Sequence, residues 1–367
     1  MEQASRGAVL VTGGGGYIGA HTAKSLAEQG FRPIVFDNLS SGFREAVRWG
    51  EFVHGDIRDG RALREAIEAH GVRQVIHFAS LIEVGRSVVR PDLFWDVNVR
   101  GTASLLDAIR DCGVERLVFS SSAAVYGQPE GLAARDLLAE GLPTAPTSPY
   151  GDTKLACERM IEAYCRAFGL SAVALRYFNA AGADPSGLIG EAHDPETHLI
   201  PLAIAAGLGF GKPLTVFGQD FPTPDGACLR DYIHVVDLAA AHVAALAVEL
   251  PAGGFEAVNV GTGHGWSVLE VIDAVERTLG RPVPRSVGAR RPGDPPSLIA
   301  DPSRARDLLG WSPACSSLDQ IVRDAARWHS NQRYGRAARA ESASGAQDQP
   351  RMAEIEGGDR PGVRSAV

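Results

Sequence analysis

Val9-Leu10-Val11-Thr12 runs without a break into Gly13-Gly14-Gly15-Gly16-Tyr17-Ile18-Gly19, and the reading of this stretch decides the fold. A short apolar run, a cluster of glycines and an amphipathic segment predict strand, tight turn and helix in that order. Glycines at 13, 16 and 19 leave room for close backbone approach. The turn aims amide N–H groups and the positive end of the helix dipole at one point. Such a point suits a pyrophosphate, so the stretch is a candidate dinucleotide site on a βαβ unit. The alternative is a glycine turn with a purely structural duty.

Outward from this turn, short apolar runs alternate with amphipathic segments, the pattern of a parallel sheet covered by helices. Ala8 to Thr12, Pro33 to Asp37, Phe52 to His54, Gln74 to Phe78, Arg116 to Ser120 and Ser171 to Leu175 read as buried strands. Ile18 to Gln29, Ala62 to Ala69, Leu93 to Ile109 and Tyr150 to Phe168 read as helices. The expected fold is α/β, a Rossmann-type doubly wound parallel sheet over residues 1–178, with some later segments returning to it. From Asn179 the breakers Gly182, Pro185, Gly187, Pro195, Pro213, Pro222 and Pro224 multiply. Residues 179–332 are therefore expected to form a smaller mixed α/β domain giving the second wall of a cleft. Residues 333–367 have almost no large apolar side chains and read as a disordered tail.

With 45% hydrophobic and 22% charged residues in 367, the composition is that of an ordinary soluble protein. No apolar run approaches the roughly 20 residues of a membrane helix, and no secretory signal is read at the N-terminus. The cytoplasm is the expected compartment. A formal charge of −8 argues against nonspecific binding to nucleic acid or acidic membranes, so any bound phosphate must be held by local groups. The five cysteines, Cys112, Cys157, Cys165, Cys228 and Cys315, are scattered without a C-x-x-C and read as free thiols. His193 and His198 near Glu191 have loop-like spacing, and no metal is expected.

Asp37 ends the second strand, where a carboxylate accepts hydrogen bonds from adenosine ribose hydroxyls and repels a 2′-phosphate. This favours NAD over NADP. Arg44 is the nearest downstream arginine able to reverse the preference, but the intervening Asn38-Leu39-Ser40-Ser41-Gly42 reads as a loop around the ribose. Asp56-Ile57 places a carboxylate and an apolar side chain for the adenine; alternatively Asp56 caps the following helix. Phe78-Ala79-Ser80 leaves the fourth strand along the cofactor path.

Tyr150 and Lys154 stand four residues apart in a chain with only three lysines, Lys24, Lys154 and Lys212. On a helix they share a face, so the ammonium can favour the phenolate and bring a pKa of about 10 toward neutrality. A tyrosine so shifted acts as a base. The alternative is an ordinary surface pair. Ser122, in Ser120-Ser121-Ser122-Ala123-Ala124-Val125-Tyr126-Gly127, leaves the fifth strand at the edge where ligands bind and is within reach of Tyr150.

The serine, tyrosine and lysine, with Gly-x-x-Gly-x-x-Gly before them, resemble the catalytic set of the short-chain dehydrogenase/reductase superfamily. Asn98 in Asn98-Val99-Arg100-Gly101-Thr102 is similar to that of its extended, nucleotide-sugar-modifying branch. Thr12 to His21, Phe36-Asp37-Asn38-Leu39, Arg176-Tyr177-Phe178-Asn179, Asp231 to Asp237 and Arg290-Arg291-Pro292-Gly293-Asp294 closely resemble the UDP-glucose 4-epimerase family over residues 8 to 330. The resemblance implies cofactor contacts from Tyr17, Ile18, Asn98 and Tyr177 besides those above. It implies a substrate pocket of Ser122, Tyr150, Asn179, His198, Leu199, Val216, Phe217, Arg230, Tyr232, Arg291, Asp294 and Leu298.

In that pocket Asn179 would hold the sugar nucleotide, Arg230 and Arg291 the diphosphate, and Asp294 the uridine ribose, a division that suits guanidinium forks. Arg230 with Asp231 reads alternatively as a buried ion pair, and Asn179 as a loop group satisfying backbone. Related 4,6-dehydratases carry acidic residues where this chain has Ala123 and Ala124, and alanine has no proton to give. The expected reaction is reversible C4 epimerisation of UDP-glucose and UDP-galactose through a 4-ketose, with NAD resident. Ile82 replaces a lysine of some relatives, and Leu298 is intermediate between the aromatic and small residues that relatives use there, leaving N-acetylated and uronic sugars open. A homodimer through the helices at 93–109 and 150–168 is also implied.

Overall fold

Side chains of the first strand, β1 (Ala8–Thr12), alternate between two cores: Ala8 and Leu10 face one layer of helices, Val9 and Val11 the other. A strand buried on both faces needs helices on both sides of its sheet, which is what parallel crossovers supply. The computed structural model describes residues 6–335 apart from 130, 132, 292 and 293. Within them β1 pairs in parallel with β2 (Arg32–Asp37) and β4 (Gln74–His77). The full order is Phe255–Val260, β6 (Ser171–Tyr177), β5 (Arg116–Ser122), β4, β1, β2, β3 (Glu51–His54), all parallel. The doubly wound sheet expected from the sequence is present, and its edge strand, Phe255–Val260, comes from far beyond residue 178. The order of connection reverses between β1 and β4, the crevice where open α/β sheets bind ligands.

One layer is built on α1 (Tyr17–Glu28) and the helix Val235–Leu246; the other on α2 (Gly60–His70), Gly101–Asp111 and Pro149–Phe168. Leu26, Leu238 and Leu246 press on Val9, Val11 and Ile76, while Leu63, Leu105, Ile109 and Ile161 press on Leu10, Ile34 and Leu117. Asp59 caps α2 by accepting from the amides of Arg61 and Ala62, so Asp56 is not the cap.

The single helix read over 93–109 is three pieces: Pro91–Phe94, a π-helical turn Trp95–Arg100, and Gly101–Asp111. Apolar periodicity averages over one widened turn and cannot register it. Gly101 is required behind it, because a Cβ there would stand 2.6 Å from Ile57 Cγ2.

A third core joins the helices Leu199–Leu208, Val268–Leu279 and Leu318–Ser330 through Ile200, Ile204, Val271, Val275, Ile321 and Val322. Short strands Leu214–Phe217 and Arg285–Gly288 pair beside it. Tyr334, which composition assigns to the tail, is 5% exposed: it packs on Trp328 and Phe43, and its hydroxyl bonds the Gly190 carbonyl. Its burial corrects the start of the expected disorder, since one aromatic side chain docks the end of the last helix; residues from 336 lie outside the described residues. No helix among the described residues is long and apolar enough to cross a membrane.

Candidate active site

The glycine turn sits where β1, β2 and β4 end. Gly13 adopts φ +72°, and a Cβ on it would lie 2.6 Å from the Ala79 amide nitrogen. A Cβ on Gly19 would strike the Gly13 carbonyl at 2.3 Å. Both positions therefore exclude side chains, and Gly16 begins α1 with no side-chain cap, leaving first-turn amides free for an anion. Tyr17 sends its hydroxyl to the Gly182 carbonyl at 2.7 Å, so only its main chain faces the turn. Ile18, on α1, is partly buried and packs on the core beneath that helix.

Asp37, 8% exposed, accepts from the Gly15 amide through one oxygen and the Leu39 amide through the other, at 2.8 and 2.7 Å. Burial pushes its carboxyl up, and these two amides partly oppose the shift. Asn38 donates to Asp56 at 3.0 Å, and Asp56 is gripped by Arg58 through Nε and Nη2, which holds it below the usual carboxylate range. Ile57 is buried next to it. Phe78 packs on His242 with centroids 4.6 Å apart, and Ala79 and Ser80 continue along the cleft. Asn98, on the π turn, accepts from the Leu81 amide and donates to the Leu81 carbonyl and Thr153 Oγ1. It thereby fastens the chain that follows Ser80 to the helix that bears Tyr150.

Tyr150, Lys154 and Ser122 meet at the end of β5. Ser148 caps the helix Pro149–Phe168, Pro149 opens it, and the Tyr150 amide donates to Ser87 Oγ at 3.2 Å. Tyr150 is 7% exposed and its phenol lies beside Ser122, whose Oγ accepts from the Ala124 amide at 3.1 Å. Lys154 is 2% exposed and donates to Ser80 Oγ at 3.0 Å and the Ser120 carbonyl at 2.9 Å, its Nζ 5.9 Å from the centre of the Tyr150 ring. Burial pushes the phenol up, with Ser122 opposing, and pushes Lys154 down to about 8. Its ammonium is turned toward Ser80 and Ser120, on the cofactor side of the cleft. Tyr177 ends β6 with its hydroxyl on Ser120 Oγ at 2.7 Å.

The substrate side brings together residues far apart in the chain. Arg230 donates to the carbonyls of Leu229 and Pro295 and lies 3.5 Å from Asp294. Arg291 donates to the other Asp294 oxygen at 2.8 Å and covers the half-exposed Phe217 ring. One carboxylate therefore joins both expected diphosphate ligands. The alternative Arg230–Asp231 pair does not form: Asp231 is fully buried and accepts from Thr262, Gly263 and Ala300.

Leu298 stands opposite Arg230 on the neighbouring strand and packs, with Phe178, on the cluster that includes Ala123, Val125 and Tyr126. Asn179 is half-buried with its backbone N–H donating to the Asp231 carbonyl, and Tyr232 is buried opposite it on the paired strand. The Val216 side chain is buried in the third core, which leaves only its backbone for a ligand. His198 precedes the helix Leu199–Leu208 and bonds Glu191 through Nδ1.

Sequence reading missed Ser87, Thr153 and the buried Glu158, which receives Ser121 Oγ and two nitrogens of Arg176. Glu158 continues the Tyr150 and Lys154 face at the i+4 spacing, the one signal that was available.

Residues 9–261 match the NAD dependent epimerase/dehydratase family. UDP-glucose 4-epimerase of Rhizobium meliloti is 48% identical, the match covering 89% of this chain and 98% of that protein. The crystal structure of UDP-glucose 4-epimerase from Brucella ovis in complex with NAD superposes with a TM-score of 0.84 at 52% identity, covering 87% of this chain and 97% of that one. The enzyme of the same name from Bifidobacterium longum, in complex with NAD+ and UDP, gives a TM-score of 0.83 at 37% identity over 89% and 98% of the two chains.

Proposed function

The chain belongs to the NAD dependent epimerase/dehydratase family, and from that premise we propose that it inverts C4 of UDP-glucose through a 4-ketose, with NAD resident. The observation that carries this reading is the buried Tyr150 phenol beside Ser122, with only Ala123 and Ala124 following the serine. An inversion at C4 needs one group to take and return a hydroxyl proton. It needs no second acid to expel a leaving group.

The cleft fits NAD: Gly13 and Gly19 have no room for a Cβ, and Asp37 stands at the end of β2. NAD, when bound in this cleft, would supply the hydride acceptor and donor for the reversible oxidation at sugar C4. Tyr150 takes the 4-hydroxyl proton in one direction and returns it in the other, and Ser122 donates to the reacting oxygen. Lys154, turned toward the cofactor side, holds ribose hydroxyls as a point charge. Asp37 accepts from the adenosine ribose, and its charge discriminates against a 2′-phosphate.

For the ketose to present its other face, it must turn about its bond to the diphosphate. Arg230 and Arg291 anchor that diphosphate, and Asp294, which ties the two guanidinium groups together, accepts from the uridine ribose. Asn179, His198, Leu199, Phe217, Tyr232, Leu298 and the Val216 backbone complete the pocket. Anchoring one end while freeing the other keeps the reactive ketose in place.

The test is direct. Purified protein given UDP-galactose and no added NAD is expected to form UDP-glucose. A folded, NAD-containing protein that leaves UDP-galactose untouched, or turns over only N-acetylated or uronic UDP-sugars, would sink the assignment.

The chain fits a cytoplasmic homodimer. Its five cysteines are all unpaired, and Val88, Val89, Trp95 and Phe168 are exposed on and beside the helices proposed for the interface. Light scattering is expected to give twice the chain mass, and a monomer at micromolar concentration would rule the dimer out.

A further inference from the structure

The loop leading into the helix Leu199–Leu208 carries Glu191, His193, Glu196 and His198 within eight residues, and the fold draws all four side chains together. One ligating atom from each lies within 4.8 Å of every other. Spacing alone does not announce this, because the loop turns back on itself between Glu191 and His198.

We propose that these four residues form a site for a divalent transition metal, with zinc the best match. Tetrahedral zinc with bonds of about 2.0–2.1 Å needs ligand atoms separated by about 3.3–3.4 Å. His193 Nδ1 stands 2.9 Å from Glu191 Oε1 and 4.0 Å from Glu196 Oε1; His198 Nδ1 stands 3.6 Å from Glu196 Oε1 and against Glu191 Oε1. These separations straddle the required edge, so modest side-chain rotation admits the ion. Two imidazoles and two carboxylates form a borderline donor set, suited to zinc or cobalt rather than to magnesium or calcium, which favour all-oxygen shells.

The surroundings are those of a built site. Glu191 is 2% exposed, and among the described residues its only ion-pair partners, and those of Glu196, are these two histidines. In the metal-free protein the two imidazoles on Glu191 Oε1 compensate this buried carboxylate, and a bound cation takes over that role. Glu196 Oε1 is oriented by the amides of Thr197 and His198 at 2.7 and 2.9 Å. The Glu191 carbonyl is fixed by Trp328 Nε1 at 2.7 Å, so the first ligand is attached to a packed core. The ligating positions are thus held by second contacts of the sort that raise metal affinity. An ion joining residues 191 and 198 would pin the loop at both ends and fix the first turn of the helix that follows.

The experiment uses untagged, NAD-containing protein stripped with a chelator, then titrated with Zn2+ by calorimetry and with Co2+ by visible absorption. One Zn2+ per chain and the intense d–d bands of tetrahedral Co2+ are expected. His193→Gln and, separately, Glu196→Gln should each weaken Zn2+ binding by about tenfold or more. Metal-free melting curves matching that of the stripped parent verify that each variant is folded, and His264→Gln, an exposed histidine elsewhere, should bind as the parent does. Absence of saturable one-to-one binding, octahedral Co2+ spectra, or equal affinity in parent and both ligand variants overturns the site. None of these readouts depends on epimerase activity.

Discussion

Tyr150→Phe is expected to leave a folded protein with its NAD bound and to lower kcat by roughly 100- to 10,000-fold, the range for removal of a positioned acid or base. Phenylalanine keeps the ring volume, and the Tyr150 amide keeps its bond to Ser87, so the helix Pro149–Phe168 has no reason to move. What disappears is the hydroxyl beside Ser122. The pH dependence has a definite sign. The phenol accepts a proton only after losing its own, so kcat/KM rises with pH through the Tyr150 pKa and is lost as pH falls below it. Burial pushes that pKa above its ordinary value and Ser122 pulls it back. Lys154, pushed down to about 8 by burial, remains mostly charged at neutral pH and adds its positive field on the cofactor side. The residual activity of Tyr150→Phe should lack this acidic limb. NAD released on denaturation measures cofactor retention, and near-normal turnover would remove Tyr150 from the base role.

The legible parts of this protein are those whose physics is local. Strand, glycine turn and helix at 9–19 follow one another directly, and the Gly13 and Gly19 close approaches are consequences of that short segment. Tyr150 and Lys154 share a helix face by spacing alone. The lysine's actual partners do not follow from spacing, because Ser80 and the Ser120 carbonyl arrive from the ends of two other strands. For the same reason Asp294 could be named, but its joining of Arg230 to Arg291 could not. Asn98 was found by motif, yet the π turn that aims it at Leu81 and Thr153 leaves no mark on apolar periodicity. The histidine and glutamate cluster was hidden by the assumption that loop spacing keeps side chains apart.

Glu158→Ala is expected to cost about 3–5 kcal/mol, the range for stripping one partner from a buried ion pair. Glu158 is 3% exposed and Arg176 7%, and the guanidinium meets both carboxylate oxygens, at 2.9 and 2.6 Å. The network extends from Arg176 to the Tyr126 hydroxyl, from there to Asn259 Oδ1, and from Asn259 Nδ2 to the Leu138 carbonyl, tying β6 and the edge strand Phe255–Val260 to the loop after β5. Alanine leaves an unpaired buried cation at the centre of this network. Urea unfolding should show a lower midpoint with little change in slope. Replacing both partners, as in Glu158→Leu with Arg176→Met, should recover much of the loss, because two apolar side chains carry no desolvation penalty. Activity should separate from stability in these variants. Tyr150, Lys154 and Glu158 lie at successive i+4 positions, and Ser121, which donates to Glu158, is the neighbour of Ser122. The apolar double variant can therefore be stable and still lose turnover, since the Ser121–Glu158 bond between the serine strand and the tyrosine helix is gone and Lys154 on the Ser120 carbonyl is left to link them. A single variant as stable as the parent would show that Arg176 finds another partner or reaches water, and that the carboxylate is not what holds the two elements together.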